Sequence, residues 1–141
     1  PGDYLDAWLE HLCLNAWAQK NGYGVAPKTC HVALDATFVF APVGQPRDVL
    51  ADWLAAWRQG QAALLPFYPQ TAWAWTRENE GKARAVWQGG DYSDRPPEKD
   101  DWWALALRGQ IDDPLGAEFA HWRTRLLTPL QEHLQAEGDA P

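Results

Sequence analysis

The sequence contains no methionine and only two cysteines, Cys13 and Cys30, in 141 residues. Two thiols are too few for a disulfide framework, and a reducing cytoplasmic origin is the simpler expectation. Without a methionine we expect a piece of a longer protein, with residues 1–141 forming a single module. No run of the roughly 18 apolar residues that a spanning helix needs is present. Cations are also scarce: 12 Lys and Arg stand against 19 Asp and Glu, for a net charge of −7. Phosphate contacts need a surplus of cations on some face, so autonomous nucleic-acid binding is disfavoured. The apolar share of 46% is that of an ordinary globular chain and excludes a disordered tail. Tryptophan is in excess, with ten residues. Such rings fill cores and anchor interfaces.

Hydrophobic spacing predicts a mostly helical chain with one strand or hairpin and about five helices. Over 4–18, Leu5, Trp8, Leu9, Leu12, Ala16 and Trp17 recur at helical intervals, with Asp3 as a candidate N-cap. Over 29–40 the period changes to two, with Val32, Leu34, Ala36 and Phe38 alternating with polar residues. This is one long strand, or a hairpin turning near Asp35-Ala36-Thr37. Pro46 opens a second helix carrying Val49, Leu50, Trp53, Leu54 and Trp57, which Gly60 should end. Pro66 and Pro69 predict an extended connection. Residues 71–87 read as helical, broken near Asn79-Gly81, and 89–97 as a polar loop. Asp100 or Asp101 starts a short helix through Leu107, and Asp113-Pro114 starts a terminal helix that Pro129 should kink. Glu137 onward reads as a frayed tail.

Catalytic signals are thin. Glu80-Gly81-Lys82 spells the E-x-K half of a PD-(D/E)xK nuclease motif. That chemistry needs carboxylates on adjacent strands to hold Mg²⁺, with a lysine beside the attacking water. Here the tripeptide lies in a helical segment, and a metal-dependent nuclease using Glu80 and Lys82 is the alternative reading. His11, Cys13, Cys30 and His31 are zinc-ligand types without closed four-ligand spacing. We expect a surface histidine, a buried cysteine and two strand residues. Asp94, Glu98, Asp100, Asp101, Asp112 and Asp113 suit turns and caps. No catalytic, cofactor or metal residue is assigned. Trp73, Trp75, Trp102 and Trp103 stand out differently. Tryptophans adjacent or two apart on a helix cannot share one core wall, so some of them should meet a partner.

Four stretches in register resemble the C-terminal part of RecC, the gamma chain of exodeoxyribonuclease V. Leu5 to Ala16 is similar to a helix of the form W-x-x-H-L-x-x-N-A. Arg58-Gln59-Gly60 with Leu65 to Ala74 resembles G-x-x-x-P-L-P-F-F-P-K-T-A-W-A, departing at Leu64-Leu65. Lys82-Ala83-Arg84 with Trp87 and Gly89 follows K-A-x-x-x-W-x-G. Leu105 to Gly109, Asp113-Pro114-Leu115, Phe119 and Leu127 to Leu130 follow the closing segment. The resemblance implies an α+β fold: the C-terminal portion of an inactivated PD-(D/E)xK nuclease-like domain. It implies a non-catalytic scaffold within a bacterial cytoplasmic helicase–nuclease that repairs double-strand breaks. The implied partners are RecD-like and RecB-like subunits, with DNA handled by the assembled complex.

Overall fold

Six helices and three strands occur among residues 2–32, 37–89, 97–109 and 113–138, which the computed structural model describes. In chain order they are α1 (Gly2–Lys20), β1 (Thr29–Val32), β2 (Thr37–Phe40), α2 (Pro46–Ala62), α3 (Pro69–Arg77), α4 (Glu80–Gln88), α5 (Asp101–Ala106), α6 (Ala117–His133) and β3 (Leu134–Gly138). The class is α+β, mostly helical with one small sheet. None of these helices is long and apolar enough to cross a membrane. The chain divides into two compact units whose boundaries fall inside α2 and α6. One, the sheet unit, comprises Gly2–Ala55 with Thr128–Pro141; the other, the helical unit, spans Ala56–Leu127.

In the sheet unit, α1 is longer than its apolar spacing indicates and places Asp3 inside the helix rather than at its cap. It stops at Gly22, whose φ of +69° suits a residue without a Cβ. Its buried face carries Ala7, Trp8, His11, Leu12 and Asn15. Trp17 lies off that face and is 52% exposed. Nine steps of roughly 100° turn it to the side opposite Trp8, so it does not extend the stripe.

The period-two segment is a hairpin. β1 and β2 pair antiparallel with Thr29 opposite Phe40 and Val32 opposite Thr37. Asp35 and Ala36, expected in the turn, lie outside the described residues. Phe38 and Phe40 are buried, and the register puts Thr29 and His31 on their face. Val32 and Cys30 therefore point the other way, and Val32 is 63% exposed. A hairpin reverses the sense of alternation that a single straight strand would keep, because cross-strand partners share a face. β3 pairs antiparallel with β2, Phe38 opposite Glu137, with an irregularity between Val39 and Phe40. The expected tail is thus a strand as far as Gly138. A two-stranded ribbon is marginal alone, and the third strand pairs the free edge of β2.

In the helical unit, Pro66 and Pro69 keep the approach to α3 extended, and Tyr68 has φ −113° and ψ 104°. Pro69 opens the helix, where its missing N–H costs nothing. The break at 78–79 is real: Asn79 caps α4 by accepting the Lys82 N–H at 2.9 Å. Gly89, at φ +74°, follows α4. A Cβ there would meet the Pro97 ring at 3.1 Å. Residues 90–96 of the expected polar loop lie outside the described residues, as do Asp94 and Asp112. Asp100 caps α5 by accepting the Trp103 N–H at 2.8 Å. Asp113 does not begin α6. It forms a turn, accepting the Leu115 N–H at 3.1 Å and, through its carbonyl, the Gly116 N–H at 3.0 Å. The helix then starts at Ala117 and contains Pro129. Tyr68, Phe119, Leu126 and Leu127 are the largest fully buried side chains of this unit among the described residues.

Candidate functional site

Two clusters stand out: a buried polar node in the sheet unit and an aromatic cluster in the helical unit. The node is built on α1 by Trp8, His11, Leu12 and Asn15, each 1% exposed or less. The His11 ring makes two short contacts, Nε2 to the Ala41 carbonyl at 2.9 Å and Nδ1 to Thr29 Oγ1 at 2.7 Å. A carbonyl only accepts, so Nε2 carries the proton and Nδ1 accepts from the Thr29 hydroxyl. Burial pushes the imidazole below its ordinary value of 6.5; the Ala41 bond opposes this and His133 adds to it. Asn15 completes the node. Its amide donates to the carbonyls of His11 at 2.9 Å and Pro27 at 3.3 Å, and its Oδ1 accepts the Val43 N–H at 3.1 Å.

Both ring nitrogens of His11 are thus committed within the fold, leaving no lone pair for a metal or substrate. The expectation of a surface histidine and a buried cysteine is reversed: His11 is buried, Cys13 exposed. The signal was in the spacing, because His11 lies about 60° from Trp8 around the helix and adjoins Leu12. Cys30 is also exposed, and His31 stacks on Phe38 at 5.8 Å. Among the described residues, no three His, Cys, Asp or Glu are grouped so as to hold a metal ion.

The four singled-out tryptophans all lie in the helical unit, and the fold separates them. Trp103 is half-buried, edge-on to Tyr68 at 4.9 Å and 6.3 Å from Trp87. Trp75 packs on Phe119 at 5.7 Å, with the Arg123 guanidinium 5.3 Å from its ring. Trp73 is half-buried, with the Arg77 guanidinium 5.7 Å above it. Trp102 alone of the four is open, at 78% exposed. Leu105, three residues on and hence on the same side of α5, is 62% exposed. Sequence reasoning did not single out Leu105; its spacing from Trp102 was the available signal. Trp57 and Leu54, read as core-facing, are also exposed at 62% and 53%.

Behind this surface, Tyr68 is fully buried, and its hydroxyl has no hydrogen-bond partner among the described residues. Burial first, then the charges of Glu98 and Glu118, push its pKa up to about 12.

Glu80 and Lys82 lie in the first turn of α4, not on a strand. Glu80 pairs with Arg84 at 2.8 Å, and Arg84 also reaches Asp113 at 3.4 Å. The Arg84 contact holds the Asp113 carboxyl below its ordinary range. Glu80 is thus one end of a surface ion-pair chain, and among the described residues no group of three His, Cys, Asp or Glu that could hold a metal ion includes it.

Residues 1–80, more than half of the chain, match the family described as RecC C-terminal domain. That segment runs from α1 to the first residue of α4 and contains the His11–Asn15 node. No curated protein and no solved structure matches.

Proposed function

The chain belongs to the RecC C-terminal domain family, and on that premise we propose that it is a non-catalytic scaffold and subunit-interaction domain. Its setting is a RecBCD-type helicase–nuclease that acts in double-strand break repair and recombination in the bacterial cytoplasm. It supports contact with a RecD-like subunit, beside a RecB-like motor. DNA is handled by the assembled complex, consistent with the net charge of −7 on this chain. We read its architecture as the C-terminal portion of an inactivated PD-(D/E)xK nuclease-like domain, as the resemblance implies. The parent complex would be an ATP-dependent exodeoxyribonuclease.

The observation that carries the contact is Trp102 with Leu105, two large apolar side chains left in water on one side of α5. Tryptophan is the residue most enriched among interface anchors, and an apolar pair of this kind is what a partner buries. Trp103 supports the reading from beneath, since its ring on Tyr68 seats α5 while Trp102 points out. Trp73 and Trp75, half-buried on α3, are proposed as secondary partner contacts apart from the Trp102 side of α5.

The test is affinity for the RecD-like subunit. Trp102→Ala should weaken it by about 30-fold or more, the range of interface anchors. Unchanged assembly in the Trp102→Ala, Leu105→Ala double variant refutes the contact. Metal-dependent DNA cleavage by the chain, lost on Glu80→Ala, refutes the non-catalytic role.

A further inference from the structure

The first turn of α3 has no local cap: Tyr68, at the cap position, supplies no side-chain hydrogen bond. Its free N–H groups are met from a distance. Glu98 Oε1 accepts the Gln70 N–H at 3.1 Å, and Oε2 accepts the Thr71 N–H at 2.7 Å. A carboxylate at a helix N-terminus is favoured both by these charge-assisted bonds and by the helix dipole. The backbone around Glu98 is tied at the same time to the end of α4. Glu98 N–H donates to the Val86 carbonyl and Lys99 N–H to the Trp87 carbonyl, each at 3.1 Å. The next residue, Asp100, is the cap of α5. A strap of three residues therefore joins the start of α3, the end of α4 and the start of α5. None of the side chains of α5 is itself fully buried. Its seat rests on the Trp103 ring and on this strap.

We propose that Glu98 is a positioning residue for the partner-binding face of α5: by clamping the strap onto α3 it sets where Trp102 and Leu105 stand. It does this without belonging to the contact surface. The inference rests on the docking reading of Trp102 given above. It adds that affinity for the RecD-like subunit is governed by a carboxylate bound inside the chain. Glu98 is held on its two backbone donors, so its charge is spent within the chain rather than offered to the partner.

The experiment uses the whole 141-residue chain. Amide hydrogen exchange over 101–107 and affinity for the RecD-like subunit are read for Glu98→Ala, Glu98→Gln and Trp102→Ala, with Glu10→Ala in the sheet unit as the charge-matched control. Loss of two charge-assisted bonds should speed exchange over α5 by about ten-fold or more and weaken the partner by a similar factor. Glutamine keeps one acceptor oxygen but turns a donor NH2 toward the second backbone N–H, so Glu98→Gln should raise exchange and weaken binding by a smaller factor than Glu98→Ala; a general loss of charge would affect both variants equally. Should Glu98→Ala unfold the helical unit, Glu98→Gln carries the test, with α5 exchange rising while exchange over α6 stays unchanged. Unchanged exchange over α5 in both Glu98 variants overturns the positioning role. Weaker binding by Trp102→Ala with none by Glu98→Ala overturns it too, and leaves the docking reading standing. Faster α5 exchange in Glu98→Ala with binding untouched by either variant upholds the clamp and overturns the docking reading.

Discussion

Replacing Asn15 with leucine separates the polar from the packing contribution of the α1 node. The two side chains are close in volume, so the substitution leaves little cavity. What it removes is specific. The Val43 N–H, 3.1 Å from Oδ1 in a buried setting, loses its acceptor. The Pro27 carbonyl loses a donor at 3.3 Å, but that site is only partly buried and water can replace the amide. The His11 carbonyl also loses the side-chain bond at 2.9 Å, yet it keeps its place in the helix ladder. One orphaned buried N–H costs about 1–3 kcal/mol, and the remaining losses bring the expected destabilisation to about 2–4 kcal/mol. That is a large share of a typical net stability of about 5–15 kcal/mol. Urea unfolding followed by far-ultraviolet circular dichroism should show a lower midpoint at unchanged slope. Gln19→Ala is the control. Gln19 also reaches this loop, donating to the Gly44 carbonyl at 2.9 Å, but in an exposed setting, so its loss should stay within about 0.5 kcal/mol. If Asn15→Leu costs no more than that control, the node is not what holds the 41–43 connection to α1.

Two further outcomes follow from the same geometry. His11 has a folded-state pKa depressed below 6.5, so the unfolded chain takes up the proton first. The stability it contributes is fully present above pH 6.5 and falls as the solution is acidified through the folded-state value. His11→Gln should flatten the pH dependence of the urea midpoint below neutrality, and an unchanged slope would refute the assignment. Asn79→Ala removes the cap of α4 and should cost about 0.5–2 kcal/mol in thermal melts, whereas Asn79→Asp, which keeps an acceptor, should be nearly neutral.

The helices were legible because their signals are local. Asp100 sits where a capping side chain is needed, Pro46 sits at a first helical position, and the break near Asn79 falls where α4 is capped; Pro69, read only as part of an extended connection, in fact opens α3. The hairpin was legible as a period of two, but its inward face was not. Which of His31 or Val32 turns inward depends on the cross-strand partner, and that partner is set by a turn whose length periodicity does not reveal. β3 was missed for a related reason: Leu134 to Gly138 has little strand propensity of its own, and it pairs because β2 offers a free edge. At the candidate site, Trp73, Trp75, Trp102 and Trp103 could be named from composition and spacing. Their sorting into Trp103 beneath and Trp102 above required the position of Tyr68, more than thirty residues away. Glu98 was read as a turn or cap residue. It is a cap, but for a helix that begins 29 residues earlier in the chain.

The sheet unit is discontinuous, with α1, β1 and β2 near one end of the chain and β3 near the other. A ribosome releases the whole of Ala56–Leu127 before β3 emerges, so during synthesis the exposed margin of β2 waits for a segment not yet made. Pairing at such sequence separation is slow to form and late to protect. A stop codon or frameshift upstream of Leu134 would leave a hairpin with an open side, a species prone to recruit strands from neighbouring nascent chains.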